Sequence, residues 1–393
     1  MVDYHPCSDA VLSDPFPTYR RLRDESPLHY LEEFDCFFLS RFEDIWNVID
    51  DPRLTATRGT TTIDLLLGRP RSGGLAMSAM DTPMHTRLRT LVNRDFLPSA
   101  ARRLEGRARK LARSYVREGV ERGEFDVVGD YAMRLSVRIA CTILGIPLAD
   151  ADMLLDGVNR FFDREEGVQG PSEVAAAATE ELRSYFRTWV AERRKAGTQD
   201  DILGRMLAFE FEGEKLEDET IVTNLQLMVV GGTETLPKVV AGAVYQLAQH
   251  PDQRADLVAD PGLIPDAFWE ALRYDMPTSM LGRAATQPLE LHGRTIEAGQ
   301  KLMFLWPSAN RDEREFADPE RFDIRRRAPR LLSFGQSTHR CLGHNMARME
   351  GRILLEELLA HAPRYEVVEE GVLRLRSEFF RGLGALPIRV GTG

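Results

Sequence analysis

Cysteine is scarce in this chain of 393 residues, which contains four. The four are scattered and form no C-x-x-C pair: Cys7, Cys36, Cys141 and Cys341. This distribution argues against a disulfide framework and against a cysteine-based zinc site. We therefore expect three of them to be structural, and the fourth needs a separate explanation because of the sequence around it.

Long apolar runs are also missing, because no stretch approaches the roughly 20 apolar residues that a membrane-spanning helix needs. The first residues, 1–6, lack the charged and then apolar pattern of a secretory signal. We therefore expect a cytoplasmic protein without a membrane span. Hydrophobic residues still make up 43% of the chain, which is enough for a large core.

The chain has no overall positive charge, since its formal net charge is −10, and this argues against a nucleic-acid-binding surface. Basic residues are nevertheless clustered. One cluster lies within 94–122 and contains Arg102, Arg103, Arg107, Arg109, Lys110 and Arg113; the other contains Arg325, Arg326, Arg327, Arg330, Arg340 and Arg348. Two such clusters indicate a docking face for an anionic partner, although solvated helix faces would look the same.

Helical periodicity dominates the sequence, and strand patterns are few. The patterns predict helices at 84–94, 100–122, 127–144, 150–160, 172–195, 218–249, 264–274 and 342–361. They predict strands at Cys36–Leu39, Leu289–Leu291 and Lys301–Phe304. With no internal repeat or linker, the prediction is a single domain spanning 1–393, mainly α with a minor β region.

Cys341 lies in a glycine-bounded turn just before the last predicted helix, next to His339 and Arg340. The helix N-terminus and the neighbouring cation would favour a thiolate, which is either a nucleophile or a metal ligand. The alternative is a buried structural thiol, the usual state of a free cysteine.

The longest apolar helix contains an unusual segment, 230–237, with two glycines, Glu234, Thr235 and Pro237. Such residues are poor choices inside a helix, and Pro237 cannot donate a hydrogen bond to the carbonyl of Thr233. The helix is expected to kink or open here and to leave space for a ligand or water. A kinked core helix without a function is the alternative.

The segment 334–343 resembles the heme-binding loop of the cytochrome P450 superfamily. Phe334, Gly335, His339, Cys341 and Gly343 match the family pattern, and Ser337 stands where the family has its second glycine. The resemblance implies the family's single-domain triangular prism and a heme b cofactor. It also implies that Cys341 is the thiolate ligand of the heme iron. A serine in place of glycine implies a tolerated dihedral angle or a slightly displaced loop.

The resemblance extends to charged and polar residues elsewhere in the chain. It implies that His85, Arg89, Arg283 and His339 bind the heme propionates. Residues Gly231, Gly232, Glu234 and Thr235 match the family's oxygen-activating pattern, so Thr235 would hydrogen-bond dioxygen and Glu234 would belong to a proton relay. Glu270 and Arg273, three apart on one helical face, would form a buried structural network with Arg321.

The expected function is insertion of one oxygen atom from O2 into a C–H bond of a hydrophobic molecule such as a terpenoid, a steroid or other lipid, or a natural-product intermediate. Fold-level analogy selects the substrate pocket: Leu66, Leu227, Val230, Gly231, Thr278 and Leu281. Electrons would come from a separate ferredoxin or flavodoxin-type protein docked on the basic face. A peroxygenase driven by H2O2 and a heme protein that binds or senses ligands without turnover are the alternatives.

Overall fold

The computed structural model describes residues 2–69, 73–165, 170–197 and 199–391. Within these ranges helices dominate. Their bounds are α1 Asp9–Ser13, α2 Phe16–Glu25, α3 Phe42–Val48, α4 Met84–Asn93, α5 Pro98–Arg122, α6 Arg134–Leu144, α7 Ala151–Phe161, α8 Glu173–Ala196, α9 Ile202–Leu207, α10 Asp218–Gln249, α11 Pro251–Ala259, α12 Ile264–Tyr274, α13 Trp306–Ala309 and α14 His344–His361.

The strands are short and form small sheets. Their bounds are β1 Leu28–Leu31, β2 Cys36–Leu39, β3 Leu54–Thr55, β4 Glu124–Asp126, β5 Glu210–Phe211, β6 Glu214–Lys215, β7 Met280–Ala285, β8 Leu289–Leu291, β9 Arg294–Ile296, β10 Lys301–Leu305, β11 Tyr365–Val367, β12 Leu373–Arg374, β13 Leu383–Ala385 and β14 Pro387–Val390. A five-stranded sheet has the order β1-β2-β10-β7-β3, and a three-stranded sheet has the order β11-β14-β4. The main sheet is antiparallel except between β10 and β2.

Helix α10 forms the centre of the core and packs against α6, α8, α12 and α14. By length and composition it could cross a membrane, which corrects the expectation that no stretch approaches that size. However, 72% of its most apolar window is buried inside the protein, as expected for the central helix of a packed core. The helix runs without interruption through Pro237.

Helix α14 is fixed in place by close contacts on two sides, and it carries the cysteine loop at its start. A Cβ on Gly351 would lie 2.1 Å from the Phe268 ring, so α12 approaches α14 closely where there is no side chain. On another side, the Tyr131 hydroxyl donates to the carbonyl of Leu354 at 2.8 Å. These contacts hold the middle of α14, the helix that follows Cys341, against α12 and the segment that carries Tyr131.

The sequence-based helix bounds are confirmed for α10 and α12 and are close for α4, α7 and α8. The predicted helix at 127–144 begins as a π-helical segment, Val127–Met133, before α6. The last helix starts at His344 instead of Leu342, because Cys341–Gly343 belong to the loop. Strand β7 and the helices α9 and α11 were not predicted.

Candidate functional site

The cysteine loop is a closed turn. The amide of Cys341 donates to the carbonyl of Phe334 at 2.7 Å, and the amide of Arg340 donates to the carbonyl of Ser337 at 3.0 Å. A Cβ placed on Gly343 would meet nothing within 4 Å, so the loop has open space beside the cysteine. Cys341 itself is accessible. The loop therefore presents a thiol toward open space from a rigid support.

Ser337 adopts a φ of 56°, which lies in the left-handed region. A non-glycine residue in this conformation costs roughly 1–2 kcal/mol, so glycine would be the relaxed choice at this position. Of the two outcomes expected from the sequence, a tolerated dihedral angle is the one seen. The turn closes with serine at this position, and its hydrogen bonds keep the backbone there.

The pKa of the Cys341 thiol is raised by burial among the surrounding loop atoms, and this effect exceeds the opposing ones. The amide of Gly343 and the guanidinium groups of Arg89 and Arg340 lower it, as the sequence predicted for a loop before a helix. The favoured thiolate stays a prediction, because a bound metal ion would itself displace the proton of the thiol.

A cluster of four cationic or ionisable side chains lies beside the loop: His85, Arg89, Arg283 and His339. The imidazole rings of His85 and His339 stack with centroids 4.0 Å apart. Burial, followed by Arg283, His85 and Arg89, lowers the pKa of His339 to about 3. Burial, Arg89 and Arg283 also lower the pKa of His85. The positive charge of each group disfavours protonation of its neighbours. A carboxylate bound among them would reduce this repulsion.

His85 is buried, and neither of its ring nitrogens has a hydrogen-bond partner among the described residues. Arg283, on β7, is also buried, and its Nη1 donates to the carbonyl of Gly282 at 2.8 Å. Arg89 donates to the carbonyl of Arg340 and so joins α4 to the cysteine loop. Buried polar groups without partners usually mark a ligand or water site.

One face of α10 opens onto free space. Leu227, Gly231 and Thr235 are four residues apart and share this face. Gly231 is exposed although most of the helix is buried, and a Cβ there would meet nothing within 4 Å. The Thr235 hydroxyl donates to the carbonyl of Gly231 at 3.1 Å. The opened segment expected from the sequence is thus an accessible face on a continuous helix.

Glu234 lies on a different, buried face of α10 and contacts Lys238, one turn further along the helix. Burial raises the pKa of Glu234, and Lys238 opposes this rise. The family pattern places Glu234 next to Thr235 in one relay and does not include Lys238. The spacing of four residues between opposite charges was the available signal.

The structural network contains Glu270 and Arg273 as expected, but its third charged member is different. Glu270 Oε1 and Oε2 accept from Arg273 at 2.8 Å, and Oε1 also accepts from Arg326 Nε at 3.1 Å. The predicted member Arg321 has an exposed side chain and contributes its backbone carbonyl to Arg273 at 3.2 Å. The prediction of Arg321 is wrong because the loop after α13 turns Arg326 inward instead.

The residues predicted to line a substrate pocket lie in different parts of the structure. Leu227 and Gly231 lie together on the open face of α10, whereas Val230 is buried in the main core. Leu66 is buried in a second, smaller core cluster, and its role as a lining residue stays a prediction. Thr278 forms a β-bridge, and Leu281 lies half-buried on β7.

The bridge of Thr278 is with Phe380, whose ring lies 4.5 Å from that of Phe162. Phe162 follows directly after α7. Phe380 therefore contacts both the segment after α12, through a backbone bridge, and the end of α7, through its ring.

A further buried acid, Glu350 on α14, escaped the sequence analysis. Its Oε2 has no hydrogen-bond partner among the described residues. Burial raises its pKa from 4.5 to about 8, and a contact with the Ser136 hydroxyl opposes the rise. Its place in an apolar helical pattern gave no sign that it is a protonated core residue. At neutral pH this carboxyl group is mainly uncharged.

Comparison with known proteins places this arrangement in one family. The family profile described as Cytochrome P450 matches residues 262–368. Cytochrome P450 123 of Mycobacterium tuberculosis is 37% identical over 379 residues, covering 96% of this chain and 94% of the relative. The vitamin D(3) 25-hydroxylase of Pseudonocardia autotrophica is 33% identical over 392 residues, covering 98% and 96%. The crystal structure of CalO2 matches with a TM-score of 0.86 and 31% identity, covering 100% of both chains.

The mainly helical fold and these matches define an oxidoreductase of the heme-containing class. The chain belongs to the cytochrome P450 superfamily and is a P450 monooxygenase. The residues of the site fit a heme on three observations: the accessible thiol of Cys341, the unpartnered nitrogens of His85 beside two guanidinium groups and a second imidazole, and the open space at Gly231 and Gly343.

Proposed function

We propose that this monooxygenase inserts one oxygen atom from O2 into a C–H bond of a hydrophobic small molecule and takes its electrons from a separate ferredoxin or flavodoxin-type protein. The observation that carries the proposal is the open face of α10. On this face Leu227, Gly231 and Thr235 are accessible within the otherwise buried central helix. An apolar side chain, an open glycine and a hydroxyl suit a hydrophobic substrate and a small polar reactant.

In this proposal the described residues have distinct roles. Cys341 would supply the thiolate that holds a heme b, with Phe334 and Gly343 shaping the loop around it. His85, Arg89, Arg283 and His339 bind the two propionates through charge-assisted hydrogen bonds. When bound, the heme supplies the iron centre for dioxygen activation. The hydroxyl of Thr235 would turn from the carbonyl of Gly231 to donate to the reactant, and Glu234 would move protons from the buried side of α10.

The substrate class that we favour is a steroid or a related rigid lipid. One relative covering 98% of this chain is named as a vitamin D(3) 25-hydroxylase. The accessible face of α10 carries Leu227 and Gly231, which would offer apolar contact to a flat hydrocarbon. Steroids, terpenoids and natural-product intermediates should be tested for a heme spin-state change, and the products identified by mass spectrometry. A panel without binding or product would contradict the proposal.

Replacing Thr235 by alanine is expected to lower product per electron by about tenfold and to raise hydrogen peroxide release, because the hydroxyl that supports proton delivery is lost. Product and peroxide are measured against electron-donor consumption. Thr235→Ser retains the hydroxyl and serves as the matched control. Unchanged coupling in the alanine variant would contradict the relay and favour the peroxygenase alternative, which needs no such group.

The basic docking face is narrower than the two clusters of the sequence. Several of the predicted cations are neutralised: Arg109 and Arg113 by Glu357, Arg325 by Asp256, Arg326 by Glu270, Arg327 by Asp266 and Arg330 by Glu315. Of the predicted cations, six are exposed and have no ion-pair partner in the described part of the chain: Arg102, Arg103, Arg107, Lys110, Arg340 and Arg348. These six lie on α5, α14 and the cysteine loop, and α5 packs along α14.

Replacing Arg102, Arg103 and Arg107 together by glutamine is expected to raise the apparent KM for a ferredoxin about tenfold at low salt and to weaken its salt dependence. Long-range attraction between the partners contributes mainly to the association rate and is screened by ions. Steady-state reduction is measured over a range of ionic strength. Arg325→Gln, which alters a residue already paired with Asp256, is the control. An unchanged salt response would count against docking on this face.

A further inference from the structure

Lysine is rare in this chain, and one of the five lysines is in the core. Lys110, Lys195 and Lys215 are exposed, and Lys301 is half-buried. Lys238, on α10, is 2% exposed. A buried ammonium is costly unless it is paired and hydrogen-bonded, so its place next to the proposed relay acid needs an explanation.

The Lys238 ammonium is held by Glu234 alone among the described residues. Its Nζ contacts Glu234 Oε1 and donates to the carbonyl of Glu234 at 3.2 Å. The stem of Lys238 lies against Gly382, just before β13, where a Cβ would be 3.4 Å from that of Lys238. The side chain is therefore confined between α10 and this segment, with its charge directed back to Glu234.

Other charged groups near this part of α10 are engaged elsewhere. Asp275, at the end of α12, lies one turn beyond Lys238 beside Gly242, and it is paired with Arg381 at 2.7 Å. Helix α14 contributes Glu350, which contacts Ser136 of α6. The charge that acts on Glu234 is that of Lys238, and the charge that acts on Lys238 is that of Glu234.

We propose that Lys238 is a positioning residue for oxygen activation, which holds the Glu234 carboxylate on the buried face of α10 and sets when it accepts and releases a proton. This inference rests on the proposed function, in which Glu234 belongs to the proton relay. It adds a residue that acts through Glu234 and does not itself touch substrate or cofactor.

The proton balance is simple. When Glu234 releases its proton, its O–H bond breaks, and the negative charge left on the carboxylate is matched by the Lys238 ammonium. A hydronium ion from the solvent then restores the O–H bond and leaves as water, so that the net transfer is one proton from the solvent to the reactant. Lys238 retains its three N–H bonds throughout, and nothing is oxidised or reduced. Without the ammonium, burial would hold Glu234 in its protonated form, and proton release would become the slow step.

The first test measures the pairing itself. In the diamagnetic ferrous carbon monoxide form, 13Cε-labelled lysine gives five signals, and Lys238→Met identifies one of them. Burial lowers the pKa of Lys238 and Glu234 opposes this effect, so Glu234→Gln is expected to move its titration midpoint down by at least about one pH unit. An unchanged midpoint would overturn the proposal.

The second test measures the effect on catalysis. Lys238→Met is expected to lower product per electron about tenfold at neutral pH and to move the acidic limb of the coupling profile upward by about two pH units. Lys238→Arg should restore most of the coupling, and Lys215→Met, at an exposed site, should match the native protein. A folded Lys238→Met variant with the native pH profile would contradict the role.

If Lys238→Met does not fold, the comparison is made in the Glu234→Gln background, where no carboxylate is left for the ammonium to act on. The double variant is expected to have the coupling profile of Glu234→Gln alone. A further loss would show that Lys238 acts independently of Glu234, and the proposal would fail. Failure of the proposed function is distinct, because the native protein would then form no product with O2 and an electron donor.

Discussion

Replacing Glu270 by alanine is expected to lower the free energy of unfolding by about 3–5 kcal/mol, because the guanidinium of Arg273 would stay buried without its counter-charge. Arg273 is fully buried, and both carboxylate oxygens of Glu270 accept its hydrogen bonds at 2.8 Å. The remaining acceptors of Arg273 are backbone carbonyls, which cannot balance a charge. Urea unfolding followed by tryptophan fluorescence measures the loss.

The controls for this experiment separate the two candidate third members. Arg321→Ala removes an exposed side chain and should change the free energy of unfolding by about 0.5 kcal/mol or less. Arg326→Ala removes the hydrogen bond to Glu270 and should cost about 1.5–3 kcal/mol. If Arg321→Ala were as costly as Glu270→Ala, the network would involve Arg321 as the sequence predicted, and the assignment of Arg326 would be wrong.

Replacing Cys341 by alanine is expected to abolish the red-shifted Soret band of the reduced, carbon monoxide-treated protein and to lower product formation more than about 100-fold. Loss of outer-shell partners of metal ligands already costs about 10–100-fold, and here the proposed ligand itself is lost. Absorbance spectra and product assays provide the measurements. The expected spectrum follows from thiolate coordination, which alanine cannot provide.

Cys7→Ala is the matched control, since Cys7 is a partly buried cysteine near the N-terminus and far from the loop in sequence. It should retain both the band and the activity. A folded Cys341→Ala protein that kept the red-shifted band would contradict the ligand assignment and, with it, the role proposed for the whole loop.

Strong helical periodicity made much of the fold predictable. The bounds of α10 and α12 agree with the sequence patterns because apolar residues recur at helical spacing between clear end signals. Strand β7 was missed because Gly282 and Arg283 interrupt any simple alternation. Gly282 is required by packing, since a Cβ there would lie 2.4 Å from Met303 Sδ. This requirement is set by Met303 on β10, a neighbouring strand whose position next to Gly282 cannot be read from the local sequence.

Site residues could be predicted where their spacing in the sequence matches the family pattern. They could not be predicted where the conformation of a loop determines which side chain is buried. The family pattern led to Cys341 and to the cluster of His85 and His339, which the structure brings together. It could not distinguish Arg321 from Arg326, because the loop that carries both determines which side chain turns inward. Lys238 lies outside the family pattern, and its spacing of four residues from Glu234 was the available signal.

The protonated carboxyl of Glu350 makes unfolding itself an acid-releasing process. The folded pKa of about 8 lies above the ordinary 4.5, so the folded chain holds a proton that the unfolded chain gives up between these values. The free energy of unfolding should therefore fall by about 1.4 kcal/mol per pH unit across that interval. Calorimetry in two buffers of different ionisation enthalpy would measure the number of protons released on unfolding. A rise in pH from the acidic range to about 8 would then weaken this enzyme from within, through one buried carboxyl group.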